Sequence, residues 1–445
     1  MTLTRLILPC LMLVLVAPAP TKAMEVHVVP GPATLQNAIA GSKPGDVLIL
    51  FAGTYYGPVV IDHGITIDGQ AQAVVDGRQK DTVITITGDD VTLRGLTVTG
   101  SGHNNQTIDA GIKVVKGVHH ALIEDNTLTD NMHGIDFHGS IDSTARRNTV
   151  IGRQDPHMLA RGNGFYVWNA PGTVIEDNTV QYGRDGIFSN VSKKDIFRRN
   201  IFRDLRFAVH YMNTNDSEVS GNISVGNHLG FAVMFSNRVT VRGNMSLADR
   251  DHGIMLNAAN SSDIVGNLVT GGTKKCLFVY DAHKNLIAGN RFEGCGIGIH
   301  FTAGSEKNAL TDNSFISNQN QVKYVGTRDI EWSLDGVGNY WSDLPAFDLD
   351  TDGYADSPFR PNDLMDHILW SQPAASLLMG SPAVQLIRWS QSSFPATLPG
   401  GVVDSHPQMT PLWIAVPSEY AQMQADVADR WLKDNADDAE TSTTH

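Results

Sequence analysis

The chain of 445 residues has little cysteine, few aromatic residues and no excess of basic charge. Its 33 Lys and Arg against 47 Asp and Glu give a net charge of −14. This charge excludes a general affinity for nucleic acid, because such binding depends on cations that neutralise phosphates. Aromatic residues make up 7%, charged residues 18% and apolar residues 41% of the chain. That composition is too apolar and too weakly charged for a disordered chain.

Beyond residue 23 the sequence has no apolar run long enough to cross a membrane. The first 23 residues have the three parts of a signal peptide. Arg5 supplies the positive charge, Leu6 to Val16 the apolar region, and Thr21-Lys22-Ala23 a cleavage site before Met24. The apolar region is too short for a membrane anchor, so the sequence predicts removal of residues 1–23 and an exported, soluble product in a periplasm.

What the chain has in abundance is repetition. An Asn preceded by Gly, Asp or Arg recurs mostly every 22 or 23 residues, at Asn126, Asn148, Asn178, Asn200, Asn222, Asn244, Asn267, Asn290, Asn313 and Asn339. A small residue followed by an apolar one keeps the same period, as at Gly134-Ile135, Gly186-Ile187 and Gly298-Ile299. Two independent markers with one period predict a repeat architecture.

The repeating unit contains short alternating stretches such as Thr240-Val241-Arg242 and Ile254-Met255-Leu256. Alternation indicates strands rather than helical hairpins, and the fixed leucines of leucine-rich repeats are missing. Strands this short cannot bury a face alone, so the units must stack, with Asn side chains forming ladders at the turns. The sequence predicts an all-β fold, a right-handed parallel β-helix of about 22 residues per coil over residues 24–345.

Other segments lie outside the repeat. Residues 33–40 have the pattern of a short amphipathic helix that caps the first coil, and residues 154–161 are an insertion that we expect to form a loop. After residue 345 we expect an acidic loop at 346–362, a helical segment at 363–415 and an acidic polar tail at 416–445.

The strand that follows each marker glycine has an unusual outer surface. Counting that glycine as zero, positions one and three are apolar and should face inward, so positions two and four should face outward. Position two reads Asp136, Tyr166, Phe188, His210, Ala232, Met255, Phe278, His300, and position four reads His138, Trp168, Asn190, Met212, Met234, Asn257, Tyr280, Thr302. This face has one carboxylate and no Lys or Arg. Such apolar stripes are typical of interfaces and grooves.

Part of this face carries a candidate metal site. His210, Met212, Met234 and Met255 fall on three consecutive coils, which lie about 4.8 Å apart. Two further candidates, His228 and His252, lie just upstream of the same strands. Thioether and imidazole groups suit Cu(I) better than Mg²⁺ or Ca²⁺. The alternative is that the methionines pack as hydrophobes under a loop, and the residues alone slightly favour it.

A polysaccharide-binding or alginate- or pectin-modifying β-helix is the rival interpretation. Three aromatic side chains of the face could stack on sugars: Tyr166, Trp168 and Tyr280. Hydrolysis requires two carboxylates that flank the scissile bond. The face offers only Asp136, with Asp185 and Asp251 at its margins. We therefore expect no enzymatic activity.

The acidic loop resembles a calcium-binding loop. Carboxylates occupy its first, third, fifth and ninth positions (Asp348, Asp350, Asp352 and Asp356), and Gly353 occupies the sixth. Phe359 stands at the twelfth position, where an EF-hand needs Glu, so a bound Ca²⁺ would be structural and weak. The alternative is an acidic turn without an ion.

Two of the cysteines, Cys276 and Cys295, lie on neighbouring coils. In an oxidising compartment a disulfide is the expected state, and a copper–thiolate pair is the alternative.

Longer stretches carry a family resemblance. They include Tyr166-Val-Trp-Asn-Ala-Pro171, Leu205-Arg-Phe-Ala-Val-His-Tyr-Met212, Asp249-Arg-Asp-His-Gly253 and Gly338-Asn-Tyr-Trp-Ser-Asp343. Between about Met24 and Pro411 the chain resembles the NosD family of nitrous oxide reductase maturation proteins. The resemblance implies a periplasmic β-helix, peripheral to the membrane, that works with the ATPase and permease of an ABC transporter. It also implies a copper chaperone as donor and apo nitrous oxide reductase as recipient. It favours a copper-transfer face but identifies no ligands.

A last expectation concerns residues 363–389, which read as helices interrupted by prolines. Five residues form an apolar stripe at helical spacing: Leu364, Met365, Ile368, Leu369 and Trp370. We expect this segment to dock onto the transporter's permease. The alternative is that it only caps the last coil.

Overall fold

A computed structural model describes residues 23–430 except 156, 325, 327, 363–380, 394–399 and 428. Most of the predicted signal peptide lies outside the described residues, as do the five docking candidates from Leu364 to Trp370. Within the described part of the chain, none of the helices has the length and apolar content of a membrane span.

The chain forms the predicted parallel β-helix, in which each coil adds one strand to each of three faces. The first face stacks twelve strands in parallel: Val59–Ile61, Ile84–Ile86, Ala110–Val114, His133–His138, Phe165–Trp168, Asp185–Asn190, Phe207–Met212, Leu229–Met234, His252–Asn257, Lys275–Tyr280, Ile297–Phe301 and Asn320–Tyr324. These are the strands that follow the marker glycines, so the sequence period is the coil period.

The second and third faces are built from shorter strands that follow in each coil. The second face contains Glu25–Val28, Val47–Leu50, Leu122–Glu124, Thr144–Arg146, Val174–Glu176, Ile196–Arg198, Glu218–Ser220, Thr240–Arg242, Asp263–Val265, Leu286–Ala288 and Ala309–Thr311. The third contains Gly53–Tyr56, Thr127–Thr129, Thr149–Ile151, Thr179–Gln181, Ile201–Arg203, Ile223–Val225, Met245–Leu247, Leu268–Thr270, Arg291–Glu293, Ser314–Ile316 and Tyr340–Trp341. Two long strands, Thr66–Asp76 and Thr92–Thr99, run through both faces.

The predicted asparagine ladder runs along the turn between the second and third faces. Asn222 Nδ2, for example, donates to Asn244 Oδ1 at 3.0 Å, and the backbone N–H of Asn222 donates to the same oxygen at 2.9 Å. The ladder ends on Asp404, whose Oδ2 accepts from Asn339 N at 2.7 Å and from Trp341 Nε1 at 2.8 Å. A carboxylate suits this terminus because it accepts without needing a further acceptor of its own.

The core holds the inward positions that the pattern predicts, at which Ile187, Val209 and Phe231 are no more than 1% exposed. It also holds two carboxyl groups that the pattern does not predict. Asp195 accepts from Ser189 Oγ at 3.2 Å. Asp249 accepts at 2.6 Å from two inward hydroxyls, those of Ser224 and Ser246. Burial raises the pKa of both Asp195 and Asp249 to about 7.

Both ends of the solenoid are covered. The helix Thr34–Gly41 buries Leu35 and Ile39 against the first coils. At the other end the strand Gly401–Val403 pairs in parallel with Asp329–Glu331. The helix Pro382–Ser393 lies between these two strands in the sequence. A short 3₁₀ helix, Met158–Ala160, lies in the predicted insertion at residues 154–161.

The chain after Asp404 runs back along the third face. Leu412 N donates to Ser314 Oγ at 2.8 Å, and residues 418–427 form a helix whose Val427 is 1% exposed. Val427 packs with outward apolar side chains of three coils: Ile223, Val225, Leu247, Ala248 and Leu268. The part of the chain predicted as a polar tail therefore contains a packed helix.

Candidate metal-binding face

Parallel register aligns the outward side chains of the first face into rows. The position-two row runs Lys113, Asp136, Tyr166, Phe188, His210, Ala232, Met255, Phe278, His300, Lys323. The position-four row runs His138, Trp168, Asn190, Met212, Met234, Asn257, Tyr280. The expectation that this face lacks Lys and Arg is wrong at its ends, where Lys113 and Lys323 complete the first row.

A third outward row arises because pairing skips the marker glycine. We call it the position-minus-one row: Asp185, Phe207, Leu229, His252, Lys275, Ile297. A Cβ at Gly186 would collide with the Phe202 ring and the Ala208 carbonyl, so only glycine fits there. The local irregularity turns the preceding residue outward, and Asp185 and His252 thereby join the face.

His210 is the most constrained polar side chain of the face, with 6% of its surface exposed. Its Nδ1 lies 3.4 Å from Asp185 Oδ2, and its Nε2 is buried without a hydrogen-bond partner among the described residues. The rings of Phe188 and Phe207 flank it, each with its centroid 5.0 Å away. A proton on Nδ1, facing the carboxylate, leaves the lone pair on Nε2. Metal-binding histidines commonly have this carboxylate behind the ring.

Asp185 is itself held by Arg206, which donates through Nε at 2.7 Å and through Nη2 at 2.6 Å. Burial acts to raise the pKa of Asp185, but hydrogen bonds from His210 and Arg206 outweigh it and hold the pKa below its ordinary value. The carboxylate is therefore charged, fixed and already paired. The sequence analysis placed Asp185 at the margin of the face and did not predict its contact with His210. Asp185 and Arg206 are about one coil apart in the sequence, and this spacing could have predicted their ion pair.

Two of the three candidate methionines are neighbours in one row, and the third lies on the next coil in the other row. Met212 and Met234 are register partners on adjacent coils, and both are half-buried. Met255 is two coils from His210 in the position-two row, with the small Ala232 between them. The structure thus brings His210, Met212 and Met234 onto two neighbouring coils and adds Met255 on the next.

The two assisting histidines lie at the edge of the same region. His228 precedes the strand Leu229–Met234, and its Nδ1 is 3.7 Å from Asp251 Oδ2. His252 opens the next strand, and its Nε2 is buried without a partner among the described residues. Burial lowers the pKa of both, for His252 to about 4, and nearby cations add to the effect. Both imidazoles are neutral at pH 7 and can act as metal ligands.

The carboxylates of the face do not form a catalytic pair. Asp136 is fully buried with Lys113 Nζ at 3.3 Å, Asp185 is paired with Arg206, and Asp251 lies 2.8 Å from Lys274 Nζ. Each is engaged by a cation, so no two free carboxylates face each other among the described residues of this surface.

The two other candidate sites have clear geometry. Cys276 and Cys295 are disulfide-bonded, with their Cα atoms 5.8 Å apart. In the acidic loop, carboxylate oxygens of Asp348, Asp350 and Asp352 lie within 4.8 Å of one another. Asp356 is not part of this group, and its Oδ2 accepts from the backbone N–H of Leu349 at 2.9 Å.

Comparison with known proteins decides the family. A Pseudomonas aeruginosa protein named "Probable ABC transporter binding protein NosD" is 36% identical over 373 residues, which cover 81% of this chain and 87% of that protein. A Stutzerimonas stutzeri protein of the same name is 35% identical over 372 residues, covering 80% and 85%. The chain belongs to the NosD family.

The NosD family profile, described as "Periplasmic copper-binding protein (NosD)", matches residues 153–346. That range contains all six candidate ligands from His210 to Met255.

Similarity to solved structures supports the fold of this NosD chain and carries no information about its function. A family 28 exopolygalacturonase from Yersinia enterocolitica superposes with a TM-score of 0.56 at 12% identity, over 73% of this chain and 79% of that one. The N-terminal fragment of bacteriophage Phi29 gene product 12 gives a TM-score of 0.53 at 12% identity, over 70% and 68%.

Proposed function

We propose that this NosD chain is a periplasmic accessory protein of an ABC transporter that binds Cu(I) on its first face and hands it to apo nitrous oxide reductase. The observation that carries the proposal is the buried Nε2 of His210, which has no hydrogen-bond partner among the described residues and lies on the same coil as Met212 of the Met212–Met234 pair. The family description as copper-binding and the relatives' names as transporter binding proteins support it.

The donor set favours the monovalent ion. The thioethers of Met212 and Met234 and the imidazole of His210 are soft or borderline donors, which suit Cu(I). Because Asp185 is neutralised by Arg206, its role is to orient His210 rather than to bind the metal. Half-buried methionine sulfurs at the surface suit a transient cargo, since a donor or acceptor protein can reach them.

The test is a Cu(I) competition titration against a chromogenic chelator. Replacing Met212 and Met234 by Leu keeps the volume and should cost less than about 1.5 kcal/mol of stability. We expect Cu(I) affinity to fall at least about tenfold. Met245→Leu, a half-buried methionine on the third face, is the matched control. Unchanged affinity in a folded Met212→Leu/Met234→Leu protein would reject the site.

The cellular role has its own readout. Nitrous oxide reductase purified from a strain without this chain should lack copper, and the double variant should not restore it. A copper chaperone would load the face, and the transporter's ATPase and permease would act with it. Normal copper content in the deletion strain would contradict the assembly role while leaving Cu(I) binding intact.

We propose further that residues 363–389 dock onto the permease, and described residues on both sides of this segment are held to the solenoid. Asn362 Nδ2 donates to the Val322 carbonyl at 2.7 Å. Phe359 and Asp404 exchange backbone hydrogen bonds of 2.8 and 2.9 Å, so the chain leaves and returns at one place. Within the helix Pro382–Ser393, Leu386 is 63% exposed. That exposure supports docking over a purely capping role.

This geometry dictates the docking experiment. Truncation at Ser357 would also remove Asp404 and the strand Gly401–Val403, so it would confuse docking with folding. Replacing residues 364–399 with a short Gly-Ser linker keeps both. The linker protein should fold but no longer co-purify with the permease, whereas deletion of residues 431–445 should have no effect. Continued co-purification or unfolding of the linker protein would indicate a cap.

We also propose that the chain is not an enzyme. The described residues of the first face include no free carboxylate pair, and the two relatives are named as binding proteins. Purified protein should not turn over alginate or pectin. Turnover that disappears in Asp136→Asn would overturn this part of the proposal.

A further inference from the structure

The far end of the position-two row is positively charged. Lys323 is the register partner of His300, which is the register partner of Phe278. Lys275 opens the strand that contains Phe278, and its Nζ lies 4.2 Å from the centre of that ring. The two lysines thus flank His300 from the coil before it and the coil after it, and all three side chains are half-buried.

Among the described residues these lysines have no carboxylate in direct contact, and Asp251 acts on Lys275 only at longer range. Neither forms a salt bridge with a carboxylate in the described parts of the chain, although the protein carries a net charge of −14. Lys113, at the other end of the same row, lies 3.3 Å from Asp136. Several arginines on other surfaces are also paired, as Arg199 is with Asp177 at 2.8 Å. Holding two unpaired cations together is unfavourable unless an anion joins them.

His300 adds an unsatisfied group to this cluster. Its Nδ1 is buried without a hydrogen-bond partner among the described residues, and its ring stacks 4.9 Å from that of Phe278. Burial lowers the pKa of His300 to about 4, and Lys275 and Lys323 contribute. A second metal ion is disfavoured here because the same two ammonium groups would repel it. A neutral imidazole can instead donate one N–H to an anion.

We propose that Lys275, Lys323 and His300 form an anion-binding site on the first face. The ligand is a single carboxylate or oxyanion group, bound by two ammonium groups and one imidazole N–H. The site lies four register steps from His210, or roughly 19 Å at about 4.8 Å per coil. His300 and Lys323 are therefore separate from His210 and the Met212–Met234 pair, whereas Lys275 is the register partner of the assisting candidate His252. A free oxyanion and a carboxylate side chain of a docked protein share this chemistry.

The test uses the complete mature protein in low-salt calorimetric titrations with inorganic phosphate and, separately, with a hexaglutamate peptide. Lys275→Gln/Lys323→Gln should weaken binding about tenfold or more, and Lys275→Arg/Lys323→Arg should retain it. The control is Lys193→Gln/Lys194→Gln, two neighbouring lysines at a corner of an earlier coil, which should change affinity less than about twofold. His300→Ala should weaken binding by a smaller factor.

Each outcome has a defined meaning. Binding of phosphate alone indicates a free oxyanion, and binding of the peptide alone indicates a partner's carboxylate; both support the site. No binding of either probe at about 10 mM, or an equal loss in the control variant, overturns it. Lys323→Gln alone should weaken anion binding and leave Cu(I) affinity unchanged, so this proposal and the copper proposal can fail independently.

Discussion

Two rows of side chains run the length of the solenoid, and they obey different rules. In the asparagine ladder the same residue recurs from Asn126 to Asn339, because each amide meets identical donors and acceptors in the coils before and after it. In the position-two row almost every coil has a different residue. No internal contact requires repetition on the outer surface. In a repeat protein, departures from the repeat on one face therefore indicate where to look for function.

The outer row also contains its own comparison. His210 and His300 occupy equivalent positions four coils apart, yet among the described residues only His210 has a carboxylate beside its ring. Asp185 stands behind His210, whereas Lys275 and Lys323 flank His300. Residue identity alone would assign both imidazoles to one kind of site, but the neighbouring charges separate a cation site from an anion site.

The largest expected effect comes from breaking the ladder at its end. Asp404→Ala leaves the Asn339 backbone N–H and the Trp341 indole N–H without their acceptor, whereas the Asn339 side-chain amide still donates to the Trp332 carbonyl. Unsatisfied buried donors cost about 1–3 kcal/mol each, so we expect a loss of about 3 kcal/mol or more. Thermal and urea unfolding will measure it. Asp404→Asn keeps an acceptor and should lose less, and an Ala variant as stable as the wild type would contradict the role of Asp404.

The next prediction concerns the two histidines. Asp185→Asn should weaken Cu(I) binding about 10- to 100-fold, although this residue is not a proposed ligand, because it removes the charge that orients His210. His210→Ala should weaken binding at least as much, and His300→Ala should leave it unchanged. Equal effects of the two histidine variants would mean that the neighbouring charges do not select the ion.

The sequence predicted the features that repeat locally. The coil period, the ladder, the rows at positions two and four, and the closeness of Cys276 and Cys295 all follow from spacing along the chain. Asp404 was not predictable in this way, because it lies 65 residues from Asn339 and outside the repeat. The position-minus-one row was missed because it depends on a backbone irregularity that alternation alone does not reveal.

The two core carboxyl groups give a third prediction, a pH dependence. Burial raises the pKa of Asp249 to about 7 in the folded protein, above the ordinary value of 3.8. The neutral form is favoured inside, so the contribution of Asp249 to stability is largest below about pH 4 and is lost as the pH rises through about 7. Asp195 behaves alike. The stability that each carboxyl group contributes should therefore fall continuously between pH 4 and pH 7.

Asp249→Asn isolates this effect from the rest of the molecule. Its unfolding free energy, measured from pH 4 to pH 8, should depend less on pH than that of the wild type. The control is Asp177→Asn, which removes a partly exposed carboxylate that pairs with Arg199. An unchanged slope in Asp249→Asn would show that this carboxyl group is ionised in the core.

The smallest expected effect belongs to the acidic loop. Asp348, Asp350 and Asp352 converge, but their oxygens also accept backbone hydrogen bonds, as Asp348 Oδ2 does from Gly353 N at 3.0 Å. With Asp356 turned away to Leu349 and no Glu at the twelfth position, we expect Ca²⁺ to bind only in the millimolar range. A concentration of Ca²⁺ tenfold above Kd would add about 1.4 kcal/mol to the free energy of unfolding, which raises Tm by a few degrees at most.

Asp350→Asn should abolish that rise in Tm. The control Asp263→Asn, which removes an exposed carboxylate on the second face, should preserve it. If Ca²⁺ raises Tm equally in wild type and Asp350→Asn, the loop is an acidic turn without a specific ion site. In that case the rule that departures from the repeat indicate functional sites applies to the coils and not to the segment after them.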